Sequence, residues 1–238
     1  MRFDRTKQKR FVKMPGSATS RRMDLTSTAG RRRAWLDSLF DDHAALRTVW
    51  TNFHTVAPGV LYRSNHPTPG NLRRFVRIKG IKTVINLRGM AGNGSDALSR
   101  EAARVLGLDF IDLAVRSAVA PPRETVLELM RLYRTMRRPG LVHCKSGADR
   151  AGFASAVFLL MEGRCVAEAR AQMALRFGHM RHSRAGILSA FIGAWERYAG
   201  EKSFARWVAE DYDSAALQAG FKSGLLSRFV NDRVLSRE

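Results

Sequence analysis

The sequence predicts an α/β protein built on a central, mostly parallel sheet of four to five strands flanked by helices. Short runs rich in β-branched and apolar residues, Val60–Arg63, Ile81–Leu87, Leu108–Leu113 and Leu141–His143, alternate with stretches of helical length. Glycines at 80, 107 and 140 fall where helical patterns stop and strand patterns begin. The last of these strands runs through a short loop into a continuous apolar helix, Ala151–Met161. The carboxyl end of such a strand is where open α/β sheets bind ligands.

Taken in order, residues 1–30 are polar, basic and poor in periodic apolar positions, and are expected to form a mostly disordered tail. Residues 31–55 are expected to be an N-terminal helical extension, with Trp35, Leu36, Leu39 and Phe40 on one face and Ala45, Leu46, Val49 and Trp50 continuing it. The main domain is expected over 56–200. It opens with a turn at Val56-Ala57-Pro58-Gly59 before the strand Val60–Arg63. A loop with two prolines, Ser64–Gly70, then leads to a basic helix over Asn71–Lys79 that Gly80 closes. After the strand Ile81–Leu87 comes a glycine-rich loop, Gly89–Gly94, and Ser95 is placed to cap a helix from Asp96 to Leu106. The strand Leu108–Leu113 and the loop Ala114–Pro122 precede an amphipathic helix over Pro122–Arg138, with Val126, Leu129, Met130 and Tyr133 inward. Beyond the apolar helix, Glu162-Gly163-Arg164 turns into a helix over Val166–Phe177, a basic loop follows at Gly178–Arg184, and a further helix covers Ala185–Tyr198. Residues 201–238 are expected to be a C-terminal helical extension, packed through Phe204, Trp207 and Val208 and continuing as a helix over Ala215–Val234.

Composition narrows the class. At 238 residues and 45% hydrophobic content the chain holds one sizeable domain plus extensions. Two cysteines make no disulfide framework, which suits a reducing compartment. No apolar run reaches the roughly 18 residues of a membrane span, and the N-terminus lacks the apolar core of a secretory signal. The expectation is a cytoplasmic protein. Its net charge is +20, from 41 Lys and Arg against 21 Asp and Glu, and residues 1–33 alone carry 11 basic and 2 acidic side chains. Such a surface draws anionic phosphorylated substrates, and its basic N-terminal tail is read either as a contact for an anionic membrane surface or nucleic acid, leaving the protein peripheral to the membrane, or as a solvated segment with no dedicated partner.

The chemistry concentrates in Leu141–Gly152, Leu-Val-His-Cys-Lys-Ser-Gly-Ala-Asp-Arg-Ala-Gly. Cys144 sits between a strand end and a helix start, where loop amides and the unpaired donors of the first helical turn converge and favour an anion. That position, beside Lys145 and Arg150, favours an anionic sulfur, the nucleophilic form of the thiol. The planar fork of Arg150 can hold two oxygens of one phosphoryl group, as a lysine cannot. Gly147 leaves the loop free of a side chain where backbone must approach an oxyanion. Phosphate-binding residues are therefore expected at Lys145, Ser146, Gly147, Ala148, Asp149 and Arg150. Cys165 lies one helix of about 13 residues away, roughly 20 Å along the axis, beyond the separation of about 7 Å a disulfide tolerates, and is read as structural.

His-Cys-x5-Arg followed by a small residue and glycine resembles the phosphate-binding signature of the cysteine-based protein-tyrosine and dual-specificity phosphatases. The succession Leu-Tyr-Arg-Ser, a proline-containing loop, a helix and Gly-Ile-Lys-Thr-Val-Ile-Asn-Leu-Arg is similar to the opening of bacterial dual-specificity-like members, so the resemblance runs from about Val60 to about Tyr198. It implies a three-layer dual-specificity-phosphatase-like fold, no cofactor and no metal. It also implies catalysis by Cys144 and Arg150 through a phosphocysteine intermediate, with His143 supporting the loop.

Two departures bear on the mechanism. Many relatives carry a general-acid aspartate on the loop after the strand Leu108–Leu113, and here that loop has no carboxylate. The candidates are Asp149, in a slot where a subgroup of relatives has an aspartate proposed as the acid, and Asp112, which by its strand pattern is equally a structural residue. Relatives commonly have Ser or Thr after the arginine, where this chain has Ala151; turnover then falls, or Ser146 compensates. Arg88, at a strand's carboxyl end, is read as a substrate-rim residue or an exposed loop arginine, and Arg181, His182 and Arg184 as rim residues on the loop beside the site. His179 and His182, three apart with no neighbouring carboxylate or cysteine in sequence, make no metal site. The expected function is a phosphomonoester hydrolase acting on a strongly anionic substrate, a phosphoinositide, inositol phosphate or other phosphorylated lipid or sugar, or on phosphotyrosine protein. The alternatives are a catalytically weak phosphate-binding scaffold of the same fold and an RNA 5′-phosphatase.

Overall fold

In the computed structural model of the protein, residues 23, 25–40 and 50–222 are described. A five-stranded sheet runs in the order β1-β2-β5-β3-β4, with β1 (His54–Ala57), β2 (Leu61–Ser64), β3 (Thr83–Asn86), β4 (Asp109–Asp112) and β5 (Gly140–His143). Only the pairing of β1 with β2 is antiparallel; β2, β5, β3 and β4 run parallel. The register sets Ser64, His143, Asn86 and Asp112 in one row across the carboxyl edge of the sheet. Just beyond that edge stands Cys144.

Alternation sorts the strands onto two cores. Tyr62, Val84 and Leu141 face α2 (Pro69–Lys79) and α3 (Gly94–Val105) with Leu72, Phe75, Ala102 and Ala103. Leu61, Ile85 and Val142 face the other way, toward α4 (Arg123–Thr135) and α5 (Asp149–Met161). The α/β/α layering is therefore the expected fold class, and because both faces are covered, β2, β3 and β5 are buried along their whole length rather than on alternate residues. Helix α5 has no polar face because it is enclosed: residues 151–160 are all buried, against α4, the short α6 (Val166–Ala171), α7 (Gly186–Glu196) and α8 (Phe204–Glu210). Phe204, Trp207 and Val208 are buried in the same core as α5, and Tyr212 donates its hydroxyl to the Pro121 carbonyl at 2.7 Å. Phe204, Trp207 and Val208 thus pack as the sequence suggests, in the core that α5 occupies.

Several expectations are corrected. Helix α1 spans Thr28–Phe40 and begins inside the stretch expected to be tail. It docks on α3 through small residues: Ala34 and Ser38 are buried, whereas Trp35 and Leu36 are exposed. Ser38 Oγ lies 2.7 Å from Ser95 Oγ, and the Gly94 amide donates to Asp37. Strand β1 takes up residues expected as the end of the helical extension and the start of the turn Val56-Ala57-Pro58-Gly59; it begins at His54. Asn93, not Ser95, caps α3, accepting from the Asp96 amide. The expected helix over Val166–Phe177 is broken into α6 and a 3-10 turn, Leu175–Phe177: Ala174 between them is extended (φ −94°, ψ 157°), and Gly178 closes the 3-10 turn in the left-handed region at φ 83°. Cys165 is exposed at the start of α6, not a packed structural residue. The expectations for residues 1–22, for the side chains of Leu39 and Phe40, for Ala45–Val49 and for residues after 222 lie outside the described residues.

Candidate active site

Strand β5 ends at His143, so Cys144 opens a loop that closes at Asp149, the first residue of α5. Every carbonyl from Lys145 to Ala148 is tied from outside the loop. The Lys145 carbonyl accepts from the His66 amide at 3.2 Å, and that of Ser146 from Asn52 Nδ2 at 3.0 Å. Those of Gly147 and Ala148 accept from Arg63 Nη2 at 2.7 and 3.1 Å. In a planar trans peptide the N–H points opposite to the C=O, so holding these carbonyls outward turns the amides of residues 146–149 to the inner side of the loop, where that of Ala148 donates to Ser146 Oγ at 3.3 Å. The Gly147 amide approaches Cys144 Sγ at 3.3 Å. Gly147 has φ 77°, and an added Cβ would lie 2.7 Å from the Asn65 nitrogen, so no other residue fits there without moving β2's end.

Arg63 is the keystone of that arrangement. It is 0% exposed, and Nη1 donates to the carbonyl and side-chain oxygens of Gln172 at 2.6 and 3.0 Å, while the Phe177 ring lies 4.2 Å from its guanidinium carbon. Burial brings its guanidinium down to about 10; the Cys144 sulfur acts in the opposite direction and Arg176 in the same one. Gly152 makes room for it, since a Cβ there would meet Gln172, Met173 and Arg63 itself. Arg150, half-buried on the first turn of α5, makes no side-chain hydrogen bond or ion pair with any described residue. Asp149 accepts from His179 Nδ1 at 2.7 Å, and His179 Nε2 lies 2.8 Å from Ser189 Oγ. His143 is fully buried, its ring edge-on to His66 at 4.7 Å.

A family model described as "DSP-PTPase phosphatase fused to NAD+ Kinase" matches residues 54–186, more than half of the chain. The chain belongs to this family. Its fold is also that of solved phosphatase structures. TpbA from P. aeruginosa is similar at 21% identity and TM-score 0.50, over 71% of this chain and 90% of that one. A cysteine-to-serine variant of TpbA in complex with pTyr gives 20% identity, TM-score 0.50 and the same coverage. The core catalytic domain of the PP-IP phosphatase SIW14 from S. cerevisiae, in complex with citrate, gives 16% identity and TM-score 0.50 over 63% of this chain and 96% of that one. No curated protein matches the sequence.

Within this dual-specificity-type phosphatase, the candidate residues fall into three groups. Cys144, Lys145, Ser146, Gly147, Ala148, Asp149 and Arg150 form one continuous loop and helix start, with Lys145 and Ser146 exposed and Cys144 buried. The rim candidates lie on two other segments. Arg88 Nη1 lies 3.0 Å from His66 Nδ1, whose partner ring nitrogen faces the Ser95 carbonyl at 3.1 Å, while Arg181, His182 and Arg184 are exposed on the turn that follows His179. Asp112 is taken up elsewhere. It holds Arg100 through two bonds of 2.7 Å, accepts from Asn86 Nδ2 at 2.9 Å, and sits two strands away from β5, about 10 Å across the sheet. Those hydrogen bonds with Asp112 and Asp96 raise Arg100 above its ordinary value even though burial acts against its charge. Ala151 is fully buried and offers no hydroxyl to the loop. Sequence reading missed Asn52, Arg63, His66 and the pairing of His179. Of these, only Arg63 left a signal, a charge inside a strand whose neighbours are apolar. No helix among the described residues is long and apolar enough to cross a membrane.

Proposed function

We propose that the protein is a cysteine-dependent phosphomonoesterase for strongly anionic substrates such as phosphoinositides, inositol phosphates or other phosphorylated lipids and sugars. The observation that carries the reading is the row of loop carbonyls held outward around Cys144, which leaves an anion-sized cradle of amides over the sulfur. In the first step the Cys144 thiolate attacks phosphorus in line; the S–P bond forms, the bridging P–O bond breaks, and the proton on Asp149 passes to the departing oxygen. The amides and the unpaired Arg150 guanidinium hold the three non-bridging oxygens. In the second step water attacks the phosphocysteine, gives its proton to the Asp149 carboxylate, and the P–S bond breaks to release inorganic phosphate and the thiolate. Asp149 is preferred to Asp112 as acid because it belongs to the loop, whereas both oxygens of Asp112 are bound to Arg100. With Ala151 after the arginine, no hydroxyl there assists the leaving sulfur, so the second step is the slower one.

The test is a rapid-mixing experiment with an aryl phosphate. A burst of phenol equal to the enzyme concentration, followed by slower turnover, is expected, and Cys144→Ser is expected to lower turnover by more than about a thousandfold. Tight phosphate binding without any burst would replace the enzyme by a phosphate-binding scaffold. SIW14 is a PP-IP phosphatase and the TpbA variant holds pTyr, so inositol phosphates and a phosphotyrosine peptide both belong in the substrate panel, beside triphosphate-ended RNA.

A further inference from the structure

His179 is 2% exposed and carries both its ring nitrogens into the interior. An imidazole buried in this way costs stability unless both nitrogens find partners. They find them on two different helices: Asp149 on the first residue of α5, 2.7 Å from Nδ1, and Ser189 on α7, 2.8 Å from Nε2. The delivery is local. Gly178, at φ 83° after the 3-10 turn, lies against the loop, where an added Cβ would be 3.6 Å from Ala148 Cβ and 3.3 Å from Trp50. The next residue therefore enters directly beneath the helix start.

We propose that His179 is a positioning residue for proton transfer, fixing the Asp149 carboxyl so that Oδ2 is the oxygen that meets the leaving group and, later, the attacking water. This rests on the reading of Asp149 as the acid. An ionised carboxylate only accepts, so Nδ1 carries the hydrogen and donates to Oδ1, and Nε2 accepts a hydrogen bond from the Ser189 hydroxyl; the tautomer is assigned by these partners. The same bond survives when Asp149 is protonated, because Oδ1 remains an acceptor while the proton sits on Oδ2. The carboxyl is thus held in one orientation through both steps. Its side chain is 29% exposed while that of His179 is fully covered, so a buried imidazole anchors a carboxyl that still reaches the open side.

A purely structural tie between α5 and α7 would slow all substrates alike, whereas a positioning role shows in the leaving group. The experiment compares kcat/KM, which reports phosphorylation of the enzyme, for a nitrophenyl phosphate, whose phenolate departs without a proton, and for glycerol phosphate, whose alkoxide does not. The ratio of the two is independent of how much enzyme is folded, so a destabilised variant still gives an answer. Asp149→Asn is expected to depress the alkyl-to-aryl ratio strongly, and His179→Ala to depress it by about tenfold or more. His179→Asn, whose amide N–H stands near the place of Nδ1–H, is expected to keep the ratio within about threefold of the parent. A parental ratio in His179→Ala beside a depressed one in Asp149→Asn overturns the positioning role and leaves the acid standing. An unchanged ratio in Asp149→Asn removes the acid and the positioning role together. His179→Asn falling as far as His179→Ala also overturns the proposal, because the donor would then not be what matters.

Discussion

A buried arginine without a carboxylate partner needs a reason. Among the described residues, Arg63 bonds only neutral oxygens, those of Gly147, Ala148 and Gln172, and its Nε is buried with no partner. A charge in such a place is costly unless a negative centre lies nearby, and Cys144 is the group whose charge favours it. Arg63 therefore shapes the loop and adds positive potential beneath the bound anion. Arg63→Met is expected to lose roughly 3 kcal/mol of stability, seen in thermal unfolding, because two loop carbonyls lose charged donors. Arg63→Lys is expected to recover little, since a single ammonium cannot span two carbonyls and Gln172 at once. Affinity for inorganic phosphate, measured by calorimetry, should fall in both; parental affinity in either would refute the role. This residue also marks how far the site was legible. Cys144, Asp149 and Arg150 stand within seven consecutive residues, so covalent spacing alone brings them together. Asn52, Arg63 and His179 reach the loop from segments 94, 84 and 30 residues away in the pairs they form, and only the folded sheet closes those distances.

Elements were readable where apolar periodicity governs packing and unreadable where it does not. The four parallel strands, α2 with its Gly80 stop, and α4 with Val126, Leu129, Met130 and Tyr133 inward all follow from pattern. Strand β1 is an edge of sequence His-Thr-Val-Ala whose two apolar residues run straight into Pro58-Gly59 and so carry the pattern of a turn. The inward face of α1 was misassigned because the contact is made by Ala34 and Ser38 against Gly94 and Ser95, a close approach of backbones that no hydrophobic pattern records. That contact makes a sharp prediction. A Cβ on Gly94 would collide with the Ala34 carbonyl and stand 2.8 Å from Asp37 Oδ2, so α1 must lift away. Gly94→Val is expected to strip hydrogen-exchange protection from residues 28–40 while β5 keeps its own, because the sheet's core does not include α1. Equal loss in both would make α1 part of the domain's cooperative unit.

At the scale of the whole molecule the dominant feature is charge. A net +20 on 238 residues places the loop, which carries Lys145 and Arg150, inside a broadly positive field to which the exposed Arg181, His182 and Arg184 add. Such a field concentrates anions before any contact is made, and its reach is set by salt: the Debye length shrinks from about 30 Å at 0.01 M to about 8 Å at 0.15 M. A nitrophenyl phosphate, carrying one phosphate, feels mainly the loop and the helix start, which lie within a few ångströms and escape screening. An inositol polyphosphate extends outward over the rim and gains from every charge it passes. Raising salt across that range should therefore depress kcat/KM for the polyphosphate several-fold more than for the aryl ester. Reversing two rim charges together, Arg181→Glu with Arg184→Glu, should flatten the difference while leaving the aryl ester's kcat near the parent value, since neither side chain belongs to the loop. Parallel salt dependence for both substrates would mean that selection is made by the shape of the bowl alone, and that the surplus of positive charge serves a different partner than the substrate.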